Sequence, residues 1–336
     1  MRKGFYHKKK MISVLVLIGV FLLFTGLSHA AKYVLKAGTD QPGDHSYNQG
    51  MKYLAKRVDE LTNGQVKIDV FVGATLGDEV SMLEGLRMGT VDICCAAAPN
   101  AATIIPDFNM FSASYLFESY DHFNRVLHNK QFVEKMVEMI RKRDVGIEFM
   151  GLYTCGVRNL YNRLRPVYTP QDVKGMKIRV MAAPIEAKMW KAYGAIPISI
   201  PTPETYSAIQ QGVADGAENS PTTVLSWKHY EPAPYYSLTE HEYLLAPLLM
   251  STKSYKKLPE NLRNAVMKAG LEAAAVQRKA DVQANKDALE KMIELGVKVN
   301  FANRKAFKAK VEHLHPEIAK EYGLTDLLDL IRQEAK

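Results

Sequence analysis

Apolar and polar positions change period several times along the chain, and each change marks an element. Tyr33 to Ala37 and Gln65 to Val72 alternate as strands do, while His45 to Leu61 repeats apolar residues at helical spacing and stops at Thr62-Asn63-Gly64. Leu76-Gly77-Asp78 opens another helix, with Asp78 placed to cap the free amides of its first turn, and Gly89 ends it in a left-handed turn. Val91 to Ala97 follows as a short strand. Much later, Thr202-Pro203-Glu204 supplies a cap residue and a proline at the first helical position, and Gly212 closes that helix. The order strand, helix, strand predicts an α/β protein.

The two helix ends superpose. Leu86 to Asp92 and Ile209 to Asp215 each carry an apolar residue, then Gly three positions on and Asp six positions on. Such joints recur in any α/β protein, yet here they fit two similar lobes facing a cleft at their strand ends. Pro259 to Leu295 is the longest helical pattern, stopped by Gly296; at 1.5 Å per residue it would run about 55 Å, longer than one small domain is wide. It is expected to brace both lobes, and the absence of a low-complexity linker points to short crossing strands between them.

The first thirty residues stand apart. Arg2, Lys3, Lys8, Lys9 and Lys10 precede an apolar stretch from Met11 to Phe24, and Ser28-His29-Ala30 offers small residues at cleavage positions, the layout of a secretory signal. The stretch falls short of the roughly 20 residues that span a bilayer. With no cysteine near Ala30 to take a lipid, the mature chain is expected to be exported and soluble. Its length favours two domains. The 44 basic and 36 acidic residues give +8, but five of the basic residues precede Ala30, so 39 against 36 remain, a net +3. That mild balance argues against nucleic acid as a partner. Cys94, Cys95 and Cys155 are an odd set with an adjacent pair and no Cys-x-x-Cys, and are expected as buried small apolar residues.

Catalytic motifs are absent from the sequence. It holds no Gly-x-Ser-x-Gly elbow and no phosphate loop, and His241-Glu242 lacks the second histidine of a zinc helix. His313 and His315, two apart before Pro316, are expected at the solvent. The segment from Thr169 to Val180 says more: Thr169 and Asp172 fit a capping box, and Gly175 releases the chain into a strand. In that strand Ile178 and Val180 share one face and Lys177 and Arg179 the other. A planar guanidinium matches a carboxylate with two parallel hydrogen bonds, which a lysine cannot copy.

Several runs carry a resemblance. Asp172 to Val180, then Tyr193-Gly194-Ala195-Ile196-Pro197, then Glu204-Thr205-Tyr206 through Gly216-Ala217-Glu218-Asn219, resemble the DctP-type binding proteins of tripartite ATP-independent periplasmic (TRAP) transporters. Leu76-Gly77-Asp78 and Tyr235-Tyr236-Ser237-Leu238-Thr239 extend the similarity over essentially the whole mature chain. The resemblance implies the two-lobed periplasmic-binding-protein fold: two α/β domains joined by crossing strands, with a long bracing C-terminal helix. The expected division is 31–155 plus about 244–283 for the first lobe and 156–243 plus about 284–336 for the second.

It also implies a function: capture of a small organic acid in the periplasm by cleft closure, without catalysis or cofactor, and delivery to an integral membrane TRAP permease. In the family, the arginine at the Arg179 position makes a two-pronged salt bridge to the ligand carboxylate, and the asparagine at the Asn219 position hydrogen-bonds to it. Arg158 resembles a second arginine turned toward the ligand. The first lobe is expected to supply the other wall through Asp40 or His45 and through Asp78 or Glu79, where a helix-capping role competes with acceptance from ligand hydroxyls. Relatives that use a metal have tryptophan after the glutamate where this chain has Glu218-Asn219, so no metal is expected, although Glu218 alone does not exclude an ion. A sugar acid is slightly favoured over dicarboxylates and 2-oxo acids, and a monomer is expected. The competing readings are the binding component of an ATP-driven importer, a sensor, or a secreted enzyme.

Overall fold

A computed structural model describes residues 31–335. The signal-like segment, residues 1–30, lies outside them. Nine strands build one sheet: β1 (Tyr33–Gly38), β2 (Val66–Phe71), β3 (Ile93–Cys95), β4 (Ile147–Asn162), β5 (Lys177–Val180), β6 (Ile196–Ser199), β7 (Gly216–Asn219), β8 (Tyr235–Ser251) and β9 (Lys298–Phe301). Their order is β2-β1-β3-β8-β4-β7-β5-β6, with β9 on β8. In one half, β2, β1 and β3 run parallel and β3 meets β8 antiparallel. In the other, β6, β5 and β7 run parallel and β7 meets β4 antiparallel. The two halves are built alike and share the long antiparallel pair β4–β8, which is the expected two-lobed α/β arrangement with crossing strands.

The repeated joint explains the likeness. Gly89 and Gly212 both adopt left-handed conformations, with φ of 78° and 75°. Each lets the chain leave its helix and return to the sheet. The aspartate three residues later then locks onto the first strand of its half. Asp92 Oδ2 accepts from Lys36 N at 2.7 Å, and Asp215 Oδ2 accepts from Lys177 N at 2.9 Å.

Helices cover the sheet because one stripe of each is apolar. Ser46–Thr62 buries Tyr47, Met51, Leu54 and Val58 against the β1 half. The predicted long helix spans Glu260–Glu294 and packs on Ser46–Thr62, on β4 and on the short helix Pro221–Ser226, so it touches both halves. Its Glu272 pairs with Arg57 Nε at 2.6 Å. The capping box also forms, with Asp172 Oδ2 accepting from Thr169 N at 2.8 Å at the start of a 3-10 turn. No helix among the described residues is long and apolar enough to cross a membrane.

Three expectations differ in detail. Thr202 does not cap a helix: a 3-10 turn runs over Thr202–Glu204 and the helix Thr205–Gln210 follows it. His315 does not face solvent: it is 5% exposed and its Nε2 donates to Ser114 O at 2.9 Å, because the C-terminal helices fold back onto the segment from Pro106 to Arg143. Arg179 likewise does not share the exposure of Lys177; it is 1% exposed. The three cysteines are free and buried as expected.

At Gly216, where β7 enters the sheet, an added Cβ would lie 2.3 Å from Tyr161 O and 2.7 Å from Asn162 Cβ. The contact is mainly backbone and cannot turn aside. Gly216→Ala is expected to cost about 2–3 kcal/mol and to lower the thermal midpoint by roughly 3–5 °C, as read by differential scanning calorimetry.

Candidate functional site

The parallel strands of both halves end at one crevice, the place where α/β sheets present ligand-binding loops. Asp40 follows β1, Asn100 follows β3, Ala182 follows β5 and Ile200 follows β6. Between them lies a cavity of about 50 Å³, lined by Asp40, Asp78, Glu79 and Asn100 on one side and by Ile200 and Thr202 on the other. The crevice is shut. Asn100 Oδ1 accepts from Ala182 N at 3.1 Å, Trp227 Nε1 donates to Gln41 Oε1 at 3.2 Å, and His45 Nε2 lies 3.3 Å from Thr223 Oγ1.

Arg179 sits on β5 opposite Ala217 of β7. Its Nε donates to Ile200 O at 2.6 Å and its Nη2 to Thr202 Oγ1 at 3.2 Å, so two cavity-lining residues orient the guanidinium. Among the described residues it has no ion-pair partner, and its Nη1 makes no hydrogen bond. A buried cation without a paired carboxylate is costly, and the nearest acid that feels this one is Asp40.

Arg158 is the opposite case. The bulged strand β4 buries it to 1% exposure. Its Nε and Nη2 hold both oxygens of Glu218, the latter at 2.5 Å, while Nη2 also donates to Glu218 O at 2.8 Å and Nη1 to Asn219 Oδ1 at 2.9 Å. Of five N–H donors, one on Nη1 is left. Asn219 Oδ1 accepts from Ser220 N as well, at 2.9 Å, and its Nδ2 has no partner among the described residues. Arg158, Asn219 and Arg179 thus come from three neighbouring strands, each with a free donor.

Behind Arg158 lies a cluster that motif reasoning did not reach. Glu186, His241 and Glu242 are buried around Glu218, with His241 Nε2 at 3.3 Å from Glu218 Oε2. Burial works to raise the Glu218 carboxyl, but Arg158 and His241 overcome it and hold Glu218 well below the usual carboxylate range. Burial pushes Glu242 up to about 8, and burial followed by the charges of Glu218 and Glu242 pushes Glu186 well above its ordinary value. Ligating atoms of Glu218, His241 and Glu242 lie within 4.8 Å of one another, yet the guanidinium already occupies Glu218. One sequence signal was present: Ser237, Thr239 and His241 form a polar stripe of period two at the start of a strand whose second half is apolar, and all three are buried.

The first-half residues divide. Asp40, Asp78 and Glu79 gather at the cavity, and His45 does not. Asp78 caps its helix through Ser81 N at 2.8 Å, yet also lines the cavity. Glu79 Oε2 accepts from Ala97 N at 2.9 Å and Asn100 Nδ2 at 2.7 Å, and Asp40 Oδ1 accepts from Gln41 Nε2 at 2.8 Å. Burial raises Asp40 to about 6 against the pull of Gln41, His45 and Arg179. Burial and the neighbouring Asp40 raise Glu79 to about 8. His45 instead caps the helix Ser46–Thr62, with Nδ1 accepting from Tyr47 N at 3.2 Å, and its Nε2 faces Thr223 and Cys155 Sγ. Burial lowers it to about 4, so it is neutral.

Residues 37–321 match the family described as bacterial extracellular solute-binding protein, family 7 (DctP). The chain belongs to that family. A DctP relative from Sulfitobacter sp., a solute-binding protein, is 33% identical over 313 residues, covering 92% of this chain and 94% of the relative. Two solved structures superpose on the present DctP chain. A TRAP periplasmic solute-binding protein from Chromohalobacter salexigens with bound D-glucuronate has 29% identity and a TM-score of 0.83, covering 90% of this chain and 99% of that one. The sugar acid binding protein of Advenella mimigardefordensis in complex with galactonate has 27% identity and a TM-score of 0.84, covering 90% and 98%. This DctP protein is therefore a solute-binding protein of the TRAP type, in a family of binding proteins and not enzymes.

Buried acids give the ligand-free protein a pH signature. Glu79, Glu242 and, on the long helix, Asp281 all sit at about 8, chiefly through burial. The unfolded chain sheds those protons near pH 4. The folded state therefore binds more protons between these values, so their contribution is greatest at low pH and is lost as pH rises through about 8. The histidines lowered by burial act below pH 6.5. The thermal midpoint is expected to fall from pH 6.5 to 8.5, and Asp281→Asn to flatten that fall in a differential scanning fluorimetry series.

Proposed function

We propose that this DctP protein binds a sugar acid, a uronate or aldonate, by pairing its carboxylate with Arg179 in a crevice that closes over it, and delivers it to a TRAP permease. The observation that carries the reading is the buried Arg179 guanidinium, oriented by Ile200 and Thr202 and lacking a carboxylate partner among the described residues. On this reading Asn219 Nδ2 and the remaining Arg158 N–H share the carboxylate. Unpartnered oxygens of Asp40, Asp78 and Glu79 are suited to accept from hydroxyls. The sugar acids held by the two solved relatives agree with that division of labour.

Closure supplies the affinity in this proposal. The closed form is populated when one ligand satisfies donors on the β5–β7 side and acceptors on the β1–β3 side together. The lobes divide as 31–155 plus about 244–283 and 156–243 plus about 284–336. The ladder shift between Thr154 and Val157 of β4 supports a hinge there, whereas the return of the C-terminal helices onto Pro106–Arg143 ties that tail to the first part of the chain. Residues 1–30 export the protein to the periplasm.

Isothermal titration with D-glucuronate, D-galacturonate and D-galactonate, beside succinate and pyruvate, tests the reading. At least one sugar acid is expected to bind more tightly than either control, and Arg179→Ala to weaken it about a hundredfold or more, because a buried charge loses its partner. Unchanged affinity in that variant would remove Arg179 from the site.

A further inference from the structure

We infer that Asp40, Asp78 and Glu79 form an acid wall that makes the pocket selective for monocarboxylates and excludes ligands with a second carboxylate at the far end. The inference rests on the proposed anchoring of one carboxylate at Arg179 and adds the charge that the rest of the ligand must carry.

The geometry is one-sided. Each of the three acids commits one oxygen to the protein: Asp40 Oδ1 to Gln41, Asp78 Oδ1 to Ser81 N, and Glu79 Oε2 to Ala97 N and Asn100. Among the described residues, the second oxygen of each has no hydrogen-bond partner, and all three side chains line the same cavity. Across that cavity, Ile200 and Thr202 hold the guanidinium whose Nη1 is also unpartnered. The cavity therefore meets three free carboxyl oxygens on one side and, on the other, the two residues that hold a cationic donor with an unpartnered Nη1.

A ligand whose carboxylate meets Arg179 must present hydrogen-bond donors to the wall. Hydroxyls satisfy it; a second carboxylate brings only acceptors and a like charge into a closed, weakly screened space, where such juxtapositions are strongly penalised. Asp40 and Glu79 are raised by burial, so the wall is partly protonated near neutrality and still retains more acceptors than donors. Nothing on the Arg179 side contributes a second free cation: Arg158 is held by Glu218 and Asn219.

The experiment compares oxidation pairs that share a carbon skeleton: D-galacturonate with galactarate and D-glucuronate with D-glucarate, titrated calorimetrically into the wild-type protein, Asp40→Asn and Glu79→Gln. The wild type is expected to prefer the monoacid of a pair by about a hundredfold or more. Asp40→Asn keeps the shape and removes a charge, Glu79→Gln keeps the shape and replaces a titratable carboxyl by an amide, and each is expected to narrow the gap at least tenfold, through a gain in diacid affinity, in titrations run at pH 8.5, where both acids are ionised. Diacid binding within threefold of monoacid binding by the wild type would overturn the inference and leave the sugar-acid reading standing. So would variants that weaken both members equally with the gap unchanged. If no member of either pair binds, the sugar-acid reading fails and the acid wall with it.

Discussion

The antiparallel pairing of β4 with β8 is the constraint on which the rest of the molecule depends. The chain crosses between its halves along these two strands, and their ladder runs from Ile147 and Ser251 at one end to Asn162 and Tyr235 at the other. The ladder slips at Thr154/Val157 and again at Arg158/Leu160. Bulges bend a strand and re-aim its side chains. Arg158, which lies between the two slips, can thereby reach Glu218 and Asn219 on the neighbouring strand. The proposed hinge and the setting of Arg158 both lie at this irregularity.

Burying the Arg158–Glu218 pair gains little stability over apolar packing, since desolvation offsets the attraction. What it supplies is direction. With four N–H groups committed, the guanidinium cannot rotate without breaking several charge-assisted bonds at once. Asn219 is fixed by the same arrangement and by its own bond to Ser220 N. Arg179 is oriented more lightly, by a carbonyl and a hydroxyl, and has no paired carboxylate among the described residues. In the proposed binding mode the two arginines divide positioning from recognition.

Much of this was legible in the sequence because it is local. Caps, the glycine stops at Gly89 and Gly212, and the box at Thr169 and Asp172 join residues a few positions apart, within reach of one turn. The resemblance pointed to Arg179 and Asn219. The cluster of Glu186, Glu218, His241 and Glu242 was not legible, since it joins three stretches of chain 23 or more positions apart whose meeting depends on the sheet order. His45 shows the same limit. Its place at the start of a helix could be read, but whether the ring faces the cavity or Thr223 is decided by how two distant loops approach. His315 was misplaced for a similar reason, as nothing near Pro316 records that Ser114 lies above it.

Asn100 joins two tasks in one side chain. Its amide nitrogen holds Glu79 while its oxygen accepts from Ala182 across the crevice. In the proposed closure, parting the halves would release the acid from a tether that also belongs to the latch. Selectivity for the solute and residence time in the shut form would then be one inherited trait. A lineage that retunes this amide for a new nutrient also changes how promptly the cargo is handed over.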